Sequence, residues 1–524
     1  MRTKKFEILR FKERPSFAKL FKLGTKKVFY INAYELFRKF FKPVWSVVFS
    51  NFYLLLNINL YDKVHENYLW SFVNKYISEI KSIVIIGLPI FGSQTSYMLM
   101  GVTDTIVAGR ANTTDLAALA IGNSIFNPLW FALSGVLFAV TPIVAQLFGA
   151  KKFNQIEDKV RQILWMALMV GLALSLILIN IGPIIKLLPI DLEVSVITSE
   201  YLRAIAIGAV FMGLFTCLRC FSEGMTLTLP VFYVAFTGML INIPLDIILV
   251  NGLFGFPKLG GVGCGYATSL IAIFQTIAIS ILIMKSKLYK DVRIFKAVTL
   301  PKLETFKEVF KLGIPIGFGI FIELSMFSGA ALIISALGVG VIASHTIAIN
   351  ITSVFFMLPL AFGLATATRV GNLIGEQRLL DAEFSTRSSL LLCFLIAIIT
   401  TITIYTFREF LVSLYTNDPQ VIALGVSLLL YAAIFQIPDG VQMSAVGSLR
   451  GFKDTFVPMI LILISYWIIA LPAGFVMTYG IIGPKLGAAG MWIGMILGLS
   501  VFCFLGILRL KKVVGSNLKT SLTL

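Results

Sequence analysis

Four carboxylates lie inside apolar stretches of this 524-residue chain: Asp104, Asp246, Glu323 and Asp439. A charge at membrane depth costs at least ~2.5–3.5 kcal/mol, so such acids face an interior and carry a function by default. Asn242 and Asp246 are four residues apart, and that spacing places both on one face of a helix. Pro244 between them removes a backbone donor. With Asp104 and Thr268 they make a set of two acids, an amide and a hydroxyl, oxygen ligands that suit a proton or a small hard cation. Asp246 also lies near the end of its apolar run, where snorkelling to the membrane surface is the alternative. Glu323 and Asp439 form a second pair, with no basic residue within ten positions of either. Pro438 and Gly440 flank Asp439, so the sequence predicts a broken helix there that exposes the Ile434 carbonyl to an ion. Phe356 and Phe435 could flank this pair, since aromatic faces attract cations by ~0.5–2 kcal/mol; plain packing is the alternative.

Positioning these groups requires membrane-spanning helices. Apolar segments fall at 83–109, 116–148, 162–182, 198–219, 229–250, 261–284, 310–336, 341–368, 388–407, 420–447, 456–478 and 487–508. Each reaches the ~20 residues a bilayer crossing needs. The opening Gly87-Leu88-Pro89-Ile90 recurs as Gly313-Ile314-Pro315-Ile316, an offset of 226 residues, and Val144, Leu147 and Gly149 fall on Val370, Leu373 and Gly375 at the same offset. The expected fold is therefore an all-α polytopic membrane protein with twelve transmembrane helices in two pseudo-symmetric six-helix lobes. Six spans per copy is an even number, so the copies run parallel and a site is expected between them. The domain reading is a basic, aromatic N-terminal extension over 1–80, an N-lobe over 81–284, a linker over 285–309, a C-lobe over 310–510 and a tail over 511–524.

Composition agrees. The chain is 58% hydrophobic and 13% charged, too few polar residues to clothe a soluble globule of this length. Its formal charge of +18 is spread over the N-terminal extension and the connections between apolar runs, which is a topology signal and not a nucleic-acid groove. Lys and Arg crowd the connections after even-numbered spans, so both termini are expected in the cytoplasm of a multi-pass plasma (bacterial inner) membrane protein. Within the extension, 44–60 reads as an interfacial helix. Cys217 and Cys220 have CxxC spacing without a second pair, and small core residues are the expected role of all five cysteines.

The stretches Gly101-Val-Thr-Asp-Thr-Ile-Val-Ala-Gly109, Thr141-Pro-Ile-Val-Ala-Gln146, Leu218-Arg-Cys-Phe-Ser-Glu-Gly224, Leu259-Gly-Gly-Val-Gly-Cys-Gly265 and Gly447-Ser-Leu-Arg-Gly451 resemble the multidrug and toxic compound extrusion (MATE) transporters, NorM-type branch, over roughly residues 80–510. The resemblance implies two six-helix lobes around a V-shaped cavity. It also implies alternating access and antiport of organic, mostly cationic compounds against Na⁺ or H⁺. By position it assigns Asp104, Asn242, Asp246 and Thr268 to an N-lobe cation or proton site. Glu323, Asp439 and the aromatic neighbour Phe356 would form a C-lobe cation site. Some relatives carry Asn at Asp246, and many carry Tyr at Phe435. No resident metal or cofactor is implied beyond the coupling Na⁺ or H⁺. The expected partners are small organic cations and the bilayer, with a functional monomer.

Other classes fit less well. A flippase for a lipid-linked or polar metabolite, on the same architecture, would favour basic residues in the cavity. A membrane prenyltransferase would need Asp-rich loop motifs, which the sequence lacks. A channel is at odds with a two-lobe repeat and dispersed acids.

Overall fold

A computed structural model describes residues 66–187 and 189–522. The N-terminal extension up to residue 65, with the interfacial helix expected at 44–60, lies outside the described residues. The described chain is helical, and twelve of its helices are long and apolar enough to cross a membrane. The first lobe comprises α1 (Glu66–Ala111), α2 (Thr113–Ser134), α3 (Val140–Gly149), α4 (Phe153–Ile179), α5 (Leu192–Gly224), α6 (Thr228–Asn251) and α7 (Val262–Lys285). The second comprises α8 (Leu303–Ser335), α9 (Val339–Gly375), α10 (Leu379–Ser413), α11 (Pro419–Gly451), α12 (Phe456–Leu463), α13 (Leu471–Tyr479) and α14 (Ala488–Leu522). A 3₁₀ turn at Leu137–Ala139 separates α2 from α3, so the second span is interrupted where its counterpart α9 is continuous. A π-helical segment, Ile464–Ala470, joins α12 to α13 within the eleventh span. The last helix continues to Leu522, so the segment expected as a tail from 511 is helical as far as that residue.

The internal repeat reaches the backbone dihedrals. Lys151 and Gln377, 226 residues apart, both adopt left-handed φ values, 55° and 63°. Each lies in a helix-ending turn closed by the same bond: Lys152 N–H to the Leu147 carbonyl, and Arg378 N–H to the Leu373 carbonyl, both at 2.9 Å. Such a bond satisfies a carbonyl that the helix end would otherwise leave unpaired. Thr226 and Lys453 repeat the device, at φ 63° and 58°. Two halves that terminate equivalent helices with equivalent strained residues are two copies of one unit.

The lobes meet most closely where the second, eighth and tenth spans end. A Cβ built on Gly149 would lie 2.0 Å from the Asn372 carbonyl oxygen, and one built on Gly375 would lie 2.0 Å from that of Gln146. Gly149 pairs with Gly375 at the 226-residue offset, and Gln146 with Asn372. The contact is therefore reciprocal, as a two-fold relation between the lobes demands. Only glycine permits backbones to approach so closely. Arg369 reinforces this end with a bidentate pair to Glu79, at 2.8 and 2.9 Å. Glu308 bridges Lys159 of the first lobe and Lys453 of the second. At the opposite ends of the spans, a Cβ added to Gly101, Gly338 or Gly340 would meet nothing within 4 Å. The backbones of the two lobes are thus in direct contact at this end.

Candidate cation sites in the two lobes

In the first lobe, α1 presents Asp104, α6 presents Asn242 and Asp246, and α7 presents Cys264 and Thr268. Asn242 and Asp246 are fully buried, Asp104 nearly so, and Thr268 is partly buried. The helix runs unbroken through Pro244, so Asn242 and Asp246 keep the common face that their spacing predicts. Side-chain ligand atoms of Asp104, Asp246 and Cys264 all lie within 4.8 Å of one another. Among the described residues, one carboxylate oxygen of Asp104, both of Asp246 and both amide atoms of Asn242 are buried without a hydrogen-bond partner. Buried polar groups are normally paired. An orphaned oxygen cluster of this kind fits a transported cation or proton. Asp246 lies at the heart of this cluster and does not snorkel.

Cys264 escaped the sequence reading, which grouped it with core cysteines. Its thiol is fully buried and donates weakly to the Asp104 backbone carbonyl at 3.7 Å. Its place one helical turn before Thr268 was the available signal.

In the second lobe, α8 carries Glu323, α11 carries Asp439 and Gln442, and the π segment carries Tyr466. One oxygen of Glu323 accepts from Gln442 Nε2 and from the Tyr466 hydroxyl, both at 3.3 Å. Tyr466 also approaches Gln442 Oε1 at 2.6 Å. Carboxylate, amide and phenol thus form a closed triangle drawn from three spans. Asp439 is buried and within electrostatic range of Glu323. Contrary to expectation, α11 is not broken beside Asp439; it is helical from Pro419 to Gly451. Pro438 removes one backbone donor, and its own carbonyl accepts from the Cys503 thiol at 3.0 Å.

Phe435 packs edge-on against Trp492, centroids 5.8 Å apart, and against Phe327 at 6.2 Å. Phe435 stands one helical turn before Asp439 on α11. Phe356 is partly buried in α9, one turn beyond Thr352, whose carbonyl accepts from Gln436 at 3.3 Å. The sequence reading missed Gln442 and Tyr466. Gln442 follows Asp439 by three residues, a spacing that shares its face. Tyr466 had no such signal, because a π turn sets its direction and such turns recur at functional sites.

Each repeat thus holds one membrane-embedded acid cluster, and comparison with known proteins places the pair. The MatE family profile matches residues 89–248 and 315–476. This chain belongs to the MatE family. It is 36% identical over 441 residues to the multidrug resistance protein MdtK of Yersinia pestis (strain Pestoides F), covering 84% of this chain and 96% of that one. The multidrug resistance protein NorM of Photobacterium profundum matches with the same identity and coverage. Among solved structures, a multidrug resistance MATE family transporter in an outward-facing conformation superposes with a TM-score of 0.78 at 20% identity, covering 84% of this chain and 97% of that one. The eukaryotic MATE transporter AtDTX14 gives 0.76 at 20% identity, covering 84% and 99%. The MatE fold of twelve helices in two lobes is thereby shown, and the family is one of transporters and not of enzymes. The matched regions include every acid of both clusters.

Proposed function

We propose that this MatE protein is a secondary antiporter that exports organic, mostly cationic compounds in exchange for Na⁺ or H⁺. The observation that carries the reading is the Glu323–Gln442–Tyr466 triangle with Asp439 beside it. A carboxylate in an apolar setting is favoured when a cation or proton joins it, and this one is held by neutral oxygen- and nitrogen-bearing side chains ready to share a small ion. Na⁺ can take oxygens from Glu323, Gln442 and Tyr466 together, whereas a proton satisfies one acid at a time. The Asp104–Asn242–Asp246 cluster supplies a second, protonatable site. MdtK and NorM, the relatives named above, are described as multidrug resistance proteins, which supports drugs as the exported class.

In this reading the even-numbered spans end in the cytoplasm of a bacterial inner membrane, because basic residues follow them. The lobe contact at Gly149 and Gly375 then closes the cytoplasmic side, and the cleft faces outward. Coupling requires the ion to favour one orientation over the other, not merely to bind. The test is transport in everted membrane vesicles with an imposed Na⁺ or pH gradient. Uptake of lipophilic monocationic dyes is the expected result. Uptake of an anionic dye with no effect on the monocations would refute the substrate assignment. For orientation, a single cysteine at position 298 should resist an impermeant reagent in intact cells, while one at position 485 reacts; the reverse pattern would invert the topology.

A further inference from the structure

The linker between the lobes does not hang free of them; it is strapped along the side of α4. Arg161 on that helix donates to the backbone carbonyls of Ile294, at 2.8 Å, and Arg293, at 2.7 Å. Glu157, one turn earlier, accepts from the Arg293 backbone N–H at 2.7 Å. Trp165, one turn later, donates its indole N–H to the Thr299 carbonyl at 2.9 Å. Arg161 is the last charged residue of α4, and from Gln162 to Ile179 the helix carries no charge. The strap at Thr299 therefore sits one helical turn inside the apolar run, at the level where tryptophan marks the membrane surface. Non-helical backbone at that depth needs its polar groups satisfied by protein, and side chains of α4 satisfy three of the strap's carbonyls.

Between the strap and the helices lies a groove with a free volume of about 310 Å³. Leu164 and Leu168 of α4, Leu214 of α5, and Phe295 and Val298 of the strap line it. Val298 is 86% exposed and Phe295 41%, so the groove opens outward, onto the surface that a bilayer covers. Its polar edge has two features. The Thr299 hydroxyl, which also lines the groove, is buried without a hydrogen-bond partner among the described residues. Arg293 and Lys296 are exposed and form no ion pair among the described residues, whereas Arg161 is neutralised by Glu157 at 2.7 Å and Lys302 by Asp158 at 3.1 Å. A slot for hydrocarbon, an unsatisfied hydroxyl and two uncompensated cations at the membrane surface match one occupant, a phospholipid with an anionic headgroup.

We propose that the linker strap and α4 form a binding site for an anionic phospholipid of the surrounding leaflet. An acyl chain lies along Leu164, Leu168, Leu214 and Val298, the Thr299 hydroxyl donates to a glycerol ester carbonyl, and Arg293 and Lys296 hold the headgroup. The strap continues through Lys302 into α8, the first helix of the second lobe, so the lipid is seated on the segment that joins the lobes. The site stands whichever ion drives transport.

The test titrates full-length protein in neutral detergent with short-chain phosphatidylglycerol or phosphatidylcholine, and counts bound lipid by native mass spectrometry. Wild type should retain phosphatidylglycerol in preference to phosphatidylcholine. Arg293→Gln/Lys296→Gln should bind phosphatidylglycerol roughly thirtyfold more weakly, as expected for removing two basic residues from an anionic headgroup, and should bind phosphatidylcholine as wild type does. Arg293→Lys/Lys296→Arg should keep the wild-type affinity, because both charges remain. Val298→Asp, at an exposed position, should lose both lipids, since a carboxylate blocks the slot. Lys511→Gln/Lys512→Gln, on α14, is the control for general surface charge and should change nothing. Equal affinity of wild type for the two lipids overturns the site. So does wild-type affinity in the neutral double variant or in Val298→Asp, and so does an equal loss in the α14 control. No gradient or drug is present, so failure of the transport reading shows separately, as drug efflux that responds to neither a Na⁺ nor a pH gradient.

Discussion

The side-chain amide of Gln146 donates to the backbone carbonyl of Gly451 at 2.9 Å, and so ties the second span of one lobe to the tenth span of the other. The bond exists only while the lobes are closed at this end. A net worth of about 1 kcal/mol is typical for such a bond, equivalent to roughly a fivefold change in an equilibrium. Gln146→Ala should therefore raise the population with this end open by about that factor. Spin labels at Lys151 and Gln377, both exposed and lying in equivalent turns of the two lobes, report it as a wider distance distribution. An unchanged distribution would show that the bond plays no part in closure.

A steric version of the same experiment acts on Gly149. No side chain fits where a Cβ would meet the Asn372 carbonyl at 2.0 Å. Gly149→Val should hold this end apart and abolish efflux without loss of membrane-inserted protein. Gly340→Val serves as the control, because a Cβ there meets nothing within 4 Å. Equal efflux in the two variants would mean that closure at Gly149 is not part of the transport cycle.

Tyr466 supplies one corner of the triangle around Glu323. Removing its hydroxyl in Tyr466→Phe deletes a contact to a carboxylate, worth about 1.5 kcal/mol at the weak end of its class, or roughly tenfold in affinity. The coupling-ion concentration for half-maximal efflux should rise by about that factor, while efflux at saturating ion is retained. An unaltered half-saturation would remove Tyr466 from the site.

Much of this molecule was legible before its structure. Runs of apolar residues near twenty long have one solution in a bilayer, so the twelve spans follow from Ile83 onward with little ambiguity. The repeat of Gly87–Ile90 at Gly313–Ile316 implied the two lobes, and the same offset returns in the reciprocal Gly149 and Gly375 contacts. Asn242 and Asp246 share a face because helical spacing allows nothing else. What stayed hidden depends on departures from regular helix or on distant partners. Pro438 suggested a break in α11 that the neighbouring spans suppress, since a single missing donor is tolerated inside a packed bundle. Tyr466 reaches Glu323 because a π segment alters the turn that carries it.

In the proposed function the coupling cation is held at Glu323 and Asp439 in the second lobe. The most direct test is Na⁺-driven efflux of a monocationic dye, measured in parallel for Glu323→Gln and Asp246→Asn at matched amounts of membrane-inserted protein. Loss of Na⁺ dependence in Glu323→Gln, with a milder defect in Asp246→Asn, is the predicted result. Wild-type Na⁺ dependence in Glu323→Gln, together with its loss in Asp246→Asn, would place coupling in the first lobe and contradict the claim.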